Sequence, residues 1–479
     1  MLFNALPFFV FLPIVYLAYW ALPRRGQNLL LLAASYVFYG WWDWRFLSLI
    51  VFSSAIDYVA GLCIHRSESP GVRRAWLGLS LVTQLGILAA FKYYDFGITA
   101  MSDLLSTLGV PFHPRTLRLI LPVGISFYTF QTLSYTIDVY RRQLPATRSA
   151  VNFFTFVAYF PQLVAGPIER AVNLLPQFER DRTFDPVAAA DGCRQMLYGL
   201  FLKTVVADNL ATVVDRAYAN WQHMAGWQLA LATYAFALQI YCDFGGYSHV
   251  AVGCSRLFGV SLMRNFAYPY FSQSPAELWH RWHISLSTWF RDYVYLPLGG
   301  RQHGPARTRI NILATFLLSG LWHGAGFTFV IWGLIHGIAV AVQWWPPRTV
   351  IDAPCGKGRL PTVKQLAALV IMIHFTCAAW VFFRSSTVPQ ATGILGRIAT
   401  AAPEPAVLPE LPPLELPGWL YAFLGCGTVV LEWLRRDRPH AFVMTTPSRA
   451  LRWSLYLTAS LAIALFGQMS TVPFIYFQF

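Results

Sequence analysis

Long apolar stretches recur along almost the whole chain, separated by short polar or charged connections. About 20 apolar residues in a helix cross the hydrocarbon core of a bilayer. The predicted spans are residues 5–22, 28–42, 46–64, 76–93, 119–137, 150–167, 193–215, 227–262, 365–384, 418–434 and 453–470. The eighth is too long for a single crossing. This pattern predicts an all-α polytopic integral membrane protein, with neither a soluble domain nor an internal repeat.

One central segment runs from Trp279 to Asp292 and mixes large aromatic with polar side chains. At about 100° per residue, its tryptophans fall on one helix face and Arg281 and Arg291 on the other, with His283 at the edge. An amphipathic helix of this kind suits the plane of a membrane surface. The sequence predicts one interfacial helix here, and an incidental histidine on a surface helix remains the alternative.

A second central segment, residues 311–345, contains no Lys, Arg, Asp or Glu. Glycines interrupt it around His323, so we expect a re-entrant hairpin or two broken helices with His323 near the apex. An ionisable residue at that depth is costly unless it is paired or lines a wet cavity, which favours a functional role. The alternative is a helix-packing face made by Gly320 and Gly324, with a hydrogen-bonded histidine between the packed helices.

A carboxylate, Asp243, lies beside Gly245 and Gly246 in a further apolar stretch. The glycine pair predicts a helix break, which a membrane tolerates only where the backbone lines a cavity within the protein. Asp243 would then orient a histidine or bind a loop, and a structural cap is the equal alternative.

The basic residues lie mainly in short loops between the apolar stretches. The formal net charge of +14 would suit nucleic acid, but this placement is the positive-inside signal of a membrane protein, so we expect no nucleic-acid partner. The charges place the loops around residues 301–309, 352–364 and 435–452 in the cytoplasm, and the loop around 404–415 and the tail 474–479 outside. Seven scattered cysteines without a Cys-x-x-Cys spacing predict no metal site.

The two central segments resemble the membrane-bound O-acyltransferase family, and most closely its alginate O-acetylase branch. The resemblance rests on Arg-Trp-His-Ile-Ser-Leu-Ser-Thr-Trp around His283 and Leu-Trp-His-Gly around His323, and it is densest over residues 121–168 and 241–326. Gly245 and His249 depart from that branch's usual serine and aspartate. The resemblance implies a helical bundle with a central tunnel and re-entrant or broken helices. It also implies a single transmembrane O-acyltransferase domain over residues 1–479 in the bacterial inner membrane.

The family moves an acyl group from a thioester to a hydroxyl, with an essential histidine at a waist between an inner and an outer funnel. A positioned imidazole that removes the hydroxyl proton contributes typically about 10²–10⁴-fold. We expect His323 to be this base and His283 to orient a substrate or support His323. Other candidate substrate-binding or tunnel residues are Trp322, Asp243, Tyr247, Trp279, Arg281, Ser285, Arg291 and Asp292.

The resemblance also implies the partners. No cofactor is expected to stay bound, and acetyl-coenzyme A is the expected donor. Arg281, Arg291 and Arg301 would attract its phosphates, and the commoner explanation of such arginines is that they face lipid headgroups. The acceptor would be an exported polysaccharide such as alginate, reached with a periplasmic partner that carries an SGNH-hydrolase-like domain. Two alternatives stay open. The donor could be a D-alanyl carrier protein, as in teichoic-acid D-alanylation. The chain could instead be a transporter or flippase, which also uses helix breaks and buried polar residues.

Overall fold

A computed structural model describes residues 1–164, 166–342, 360–403, 416–443, 448–468 and 474. Every regular element in these ranges is helical, as predicted. The helical stretches long and apolar enough to cross a membrane, within the same ranges, are Arg24–Arg66, Pro70–Thr107, Pro186–Ala219 and Val363–Arg384. Shorter apolar helices are Leu6–Trp20, Phe327–Ala341 and Gly418–Leu434. The all-α membrane fold is therefore confirmed, and the central tunnel and the sidedness of the loops stay predictions.

The chain divides into two compact units, and the single domain predicted over residues 1–479 stays a prediction. Unit one comprises Met1–Gly192 and Ala251–Met263. Its helices are α1 Leu6–Trp20, α2 Arg24–Asp43, α3 Leu47–Arg66, α4 Pro70–Leu88, α5 Tyr94–Thr107, α6 Ile125–Tyr140, α7 Ala150–Ala158, α8 Phe160–Leu163 and α9 Ala171–Glu179. The helix α10, Pro186–Leu200, begins in this unit and ends in the second.

Unit one buries a hydrogen-bonded cluster of polar side chains between α3 and α4. Asp57 of α3 accepts from the Ser80 hydroxyl at 2.6 Å and from the Gln84 amide at 2.7 Å, both on α4. The predicted span 150–167 is broken, because Tyr159 leaves the helical region (φ −51°, ψ 108°) between α7 and α8. The helix α5 was not predicted from sequence. It extends α4 through a π-helical turn, Ala89–Tyr93.

Unit two comprises Cys193–Val250 and Arg264–Phe479. Its helices are α11 Asp208–Ala219, α12 Gly226–Leu257 (whose last residues belong to unit one), α13 Pro275–Arg281, α14 Ile284–Phe290, α15 Gly304–His323, α16 Phe327–Ala341, α17 Val363–Arg384, α18 Val388–Ala399, α19 Gly418–Leu434 and α20 Arg449–Phe466. A π-helix, Phe201–Ala207, joins α10 to α11, and another, Arg291–Tyr295, extends α14. Residues 352–359 of the predicted loop 352–364, and the whole of the predicted loop 404–415, lie outside the described residues.

The helix break predicted at Gly245 and Gly246 is wrong, because α12 runs unbroken through both residues. Gly246 instead allows a close helix contact: a Cβ added there would lie 2.7 Å from the backbone oxygen of Gly199 on α10. Two glycines facing each other let the backbones approach, which is how helices pack inside membranes.

The second central segment forms the expected hairpin, α15 and α16 joined by Gly324–Gly326, with His323 as the last residue of α15. Of the glycine-packing alternative, the part that concerns Gly320 is confirmed, but its partner across the hairpin is Gly333 and not Gly324. A Cβ at Gly320 would collide with the backbone oxygen of Phe329, and one at Gly333 with that of Phe316. Close packing of the two helices therefore fixes the position of His323, at the end of α15, relative to α16.

The single interfacial helix predicted from Trp279 to Asp292 is wrong. The segment breaks into α13 and α14 at Trp282 and His283, and His283 takes the left-handed conformation (φ 43°, ψ 55°). The side chains of Trp282 and Trp289 are buried in unit two, with 1% and 6% of their surface exposed. A helical wheel assumes one continuous helix, so it could not reveal a break that turns these tryptophans inward.

Candidate active site

Two histidines 40 residues apart in sequence meet in unit two. The ring centroids of His283 and His323 are 6.4 Å apart. Both side chains are buried, with 0% and 3% of their surface exposed. His323 lies at the end of α15, and His283 lies in the turn that precedes α14. The hairpin and the helix break therefore bring the two predicted site residues together.

The orientation of His283 is set by Asn265. The Nδ1 atom of His283 lies 3.2 Å from the amide oxygen of Asn265, which also accepts from the Ser285 hydroxyl at 2.7 Å. An amide oxygen only accepts hydrogen bonds, so we assign the proton to Nδ1, which leaves Nε2 as the basic nitrogen. Burial lowers the pKa of His283, which lies outside the spanning helices, to about 3 and keeps the ring neutral.

Asn265 itself is held from the other side, where its amide nitrogen donates to the Ser248 hydroxyl of α12 at 3.2 Å. Its backbone oxygen accepts from the Ile284 N–H at 2.9 Å, at the first residue of α14. Asn265 thus fixes both the ring of His283 and the backbone that follows this left-handed residue. Its spacing from His283 in the sequence gives no sign of this role.

Aromatic rings enclose His323. Its ring centroid lies 5.0 Å from that of Trp322, 4.9 Å from Trp332 and 5.3 Å from Phe383. Trp332 in turn stacks on Trp380 at 5.7 Å. The predicted site residue Trp322 also contacts the ring of His283, at 5.9 Å. The enclosure fixes the ring and keeps bulk water from it, as edge-to-face aromatic packing does.

The carboxylate of Asp243 lies 2.8 Å from the ammonium of Lys203. Lys203 also pairs with Asp208, at 2.7 Å, and all three side chains are buried. The predicted site residue Tyr247 has its ring 5.7 Å from the same ammonium. The sequence did offer a sign of this ion cluster, because Lys203 is the one lysine in the predicted span 193–215. A buried charge in a membrane helix requires a partner of opposite charge.

The helix α12 connects this ion cluster to the histidines. Phe244, next to Asp243, packs edge-on against the ring of His283 at 4.7 Å. Phe474 is fully buried against Phe244 and Tyr247, at 5.8 and 4.6 Å. Phe474 is the one described residue of the predicted outward tail.

A cavity of about 250 Å³ lies in unit two, and Ile284, the residue after His283, lines it. Trp279 and Arg291, both predicted from sequence, line it together with Arg301, His280 and Ser319. Ser319 lies one helical turn before His323 on α15. Arg291 is ion-paired with Asp292 at 2.6 Å, and both Arg291 and Arg301 are exposed.

Arg281 lies elsewhere, and the structure corrects the expectation that it faces lipid headgroups or a donor. Only 3% of its surface is exposed, and its guanidinium pairs with Glu277 at 3.0 Å. A second nitrogen donates to the backbone oxygen of Ala267 at 3.1 Å. These bonds tie α13 to the segment that carries Asn265, so Arg281 braces the turn before His283.

A membrane-embedded helical enzyme with a buried, oriented imidazole pair is the class of protein that this fold and site define. Residues 141–345 match the model of the MBOAT, membrane-bound O-acyltransferase, family. The chain belongs to this family, and its relatives place it in the alginate O-acetylase branch, as predicted. It is therefore a membrane-bound O-acyltransferase, and the transporter alternative is wrong.

Among the similar proteins is "Probable alginate O-acetylase AlgI" of Pseudomonas putida, 37% identical over 98% of each chain. A "Peptidoglycan O-acetyltransferase" of Helicobacter pylori is 34% identical over 82% of this chain and 79% of its own length. A "Teichoic acid D-alanyltransferase" of Bacillus subtilis is 27% identical over 57% of this chain and 71% of its own.

Proposed function

We propose that the enzyme transfers an acetyl group from acetyl-coenzyme A, taken from the cytoplasm, to hydroxyls of an exported polysaccharide such as alginate. The main observation behind this proposal is that the rings of His283 and His323 lie close together among aromatic side chains. Relatives named for acetyl transfer to alginate and to peptidoglycan support both the acetyl group and the kind of acceptor. The corresponding location is the bacterial inner membrane, crossed several times.

In the proposed reaction an acceptor hydroxyl attacks the carbonyl carbon of the thioester while His323 removes the hydroxyl proton. The C–S bond breaks, an ester forms, and the proton passes to the leaving thiolate to give free coenzyme A. Because a hydroxyl is a poor nucleophile at neutral pH, a neutral, positioned imidazole supplies the necessary base. His283, held by Asn265 and Ser285, orients the reacting groups beside His323.

The cavity beside Ser319 supports the donor assignment. Its exposed arginines, Arg291 and Arg301, suit the phosphates of coenzyme A, since a guanidinium binds phosphate oxygens in a forked geometry. From there the thioester end would approach His323, one turn beyond Ser319 on α15. We propose that a periplasmic SGNH-hydrolase-like partner then completes delivery to the polysaccharide.

A second candidate donor is a D-alanyl carrier protein, because a teichoic acid D-alanyltransferase is among the relatives. The two are separated by supplying membranes that contain the enzyme with labelled acetyl-coenzyme A or with a D-alanylated carrier protein. A uronic-acid polysaccharide and a periplasmic extract of the same cells, as the source of the partner, are added in both cases. Base-labile label on the polysaccharide from acetyl-coenzyme A alone is the expected result. Label from the carrier protein alone would overturn the proposed donor, and the His323→Ala enzyme serves as the control.

A further inference from the structure

A third histidine, His336, lies near the site and has no part in the proposed chemistry. It belongs to α16, and only 1% of its surface is exposed. Within the ranges that the structure describes, neither ring nitrogen of His336 has a hydrogen-bond partner. Three aromatic rings hold it edge-on: Trp279 at 5.1 Å, Trp332 at 5.0 Å and Phe375 at 5.4 Å.

An imidazole in this setting is less favourable than an apolar ring of the same size. Burial removes its nitrogens from water, and no hydrogen bond within the described residues replaces the lost bonds to water. A phenylalanine would fill the space between Trp279, Trp332 and Phe375 without that penalty. An ionisable residue buried in this way inside a membrane protein points to a function.

The position of His336 suggests which function. Trp332 lies between the two histidine rings, 4.9 Å from His323 and 5.0 Å from His336. Trp279, which contacts His336, also lines the cavity that holds the exposed arginines, and so does Val340, one helical turn beyond His336. His336 therefore stands beside the stretch between the arginines and His323.

We propose that His336 binds the pantetheine arm of the acyl donor through one of the arm's amide groups. A neutral imidazole carries one N–H donor and one nitrogen acceptor, which matches the C=O and N–H of an amide. Coenzyme A and acyl carrier proteins carry the same arm, so the inference rests on a thioester donor of this class and not on the choice between those two. His336 binds the donor and takes no part in the proton transfer.

The test compares acetyl thioesters of decreasing length that carry two, one or no amides. S-acetylpantetheine has two amides, S-acetyl-N-acetylcysteamine has one, and S-acetylmercaptoethanol has none. With purified His336→Phe enzyme we expect the KM for S-acetylpantetheine to rise about tenfold, with kcat changed less than about twofold. The KM for S-acetylmercaptoethanol should stay the same. The one-amide donor shows which amide is bound.

Two further variants separate binding from packing. His336→Gln keeps a donor and an acceptor and should recover part of the affinity. His374→Phe is the matched control, because that exposed histidine on α17 bonds to the Tyr234 hydroxyl and not to the site; its KM values should match the wild type. The His336→Phe enzyme should also unfold at a temperature no lower than the wild type, since it buries no unbonded polar atom.

Equal KM values of wild type and His336→Phe for every donor would overturn the proposal and leave His336 as a packing residue. An equal loss with the amide-free donor would overturn it too. If the wild type transfers no acetyl group at all, the proposed function fails separately. Equilibrium binding of unacylated pantetheine, coenzyme A and a pantetheinylated carrier protein to wild type and His336→Phe still tests the inference, and unchanged affinities would contradict it.

Discussion

At the scale of single residues, the site depends on a strained turn. His283 has φ 43° and ψ 55°, a conformation that costs a non-glycine residue about 1–3 kcal/mol. Asn265 and Ser285 offset the strain by bonding the ring and the backbone around it. The strain and the bonds together direct the imidazole towards His323.

The substitution Asn265→Asp tests the protonation state of His283, because it replaces the amide beside Nδ1 by a carboxylate. The wild-type pKa of about 3 leaves His283 neutral throughout the working range. A carboxylate beside Nδ1 favours the protonated ring and raises that pKa. The protonated form would then persist to higher pH, so the variant should lose activity on the acid side and keep more of it on the alkaline side. Rate against pH for both enzymes checks this; profiles of the same shape would show that Asn265 does not act through His283.

At the scale of elements, the α15–α16 hairpin sets the position of His323, and glycines allow its helices to touch. Gly333 offers a sharp test, because its Cβ would strike the backbone oxygen of Phe316, which cannot move as a side chain can. We expect Gly333→Ala to lower the free energy of unfolding by about 1–3 kcal/mol and to reduce activity as His323 shifts.

The matched control is Gly427→Ala in α19, where an added Cβ meets nothing within 4 Å. That change should alter stability by no more than about 0.5 kcal/mol or raise it slightly. Thermal unfolding of the purified proteins in one detergent gives the comparison. Equal effects of the two substitutions would mean that the hairpin packing does not fix the helices.

At the scale of the whole molecule, the long apolar stretches of the sequence predicted most helices correctly, because a helix that crosses a bilayer needs an apolar stretch of that length. Predictions from the local sequence pattern were wrong where backbone geometry or contacts with distant residues decide the structure. The wheel from Trp279 to Asp292 could not show the turn at His283, and the glycines beside Asp243 pack helices instead of breaking one. The motifs supplied both histidines. Asn265, Trp332 and Phe383 reach the site only through folding, so no spacing in the sequence reveals them.

The loop charges still predict the sidedness of the chain, with Arg438 in the cytoplasm and Glu410, outside the described residues, on the opposite face. Single cysteines at these two positions should react from opposite sides of the inner membrane in intact cells. Cys193 and Cys426 are exposed and must be replaced first. An impermeant reagent that labels both new cysteines equally would contradict the orientation.

The division of labour between the two histidines is tested by steady-state transfer with purified His323→Ala and His283→Ala across donor concentration. His323→Ala should keep its membrane insertion and lose at least about 10²-fold in kcat, the loss expected for a missing general base. His283→Ala should lose less in kcat and more in apparent substrate affinity, because a lost positioning contact weakens ground and transition states together. Near-normal turnover by His323→Ala beside an inactive His283→Ala would show that His283, held by Asn265, is the base.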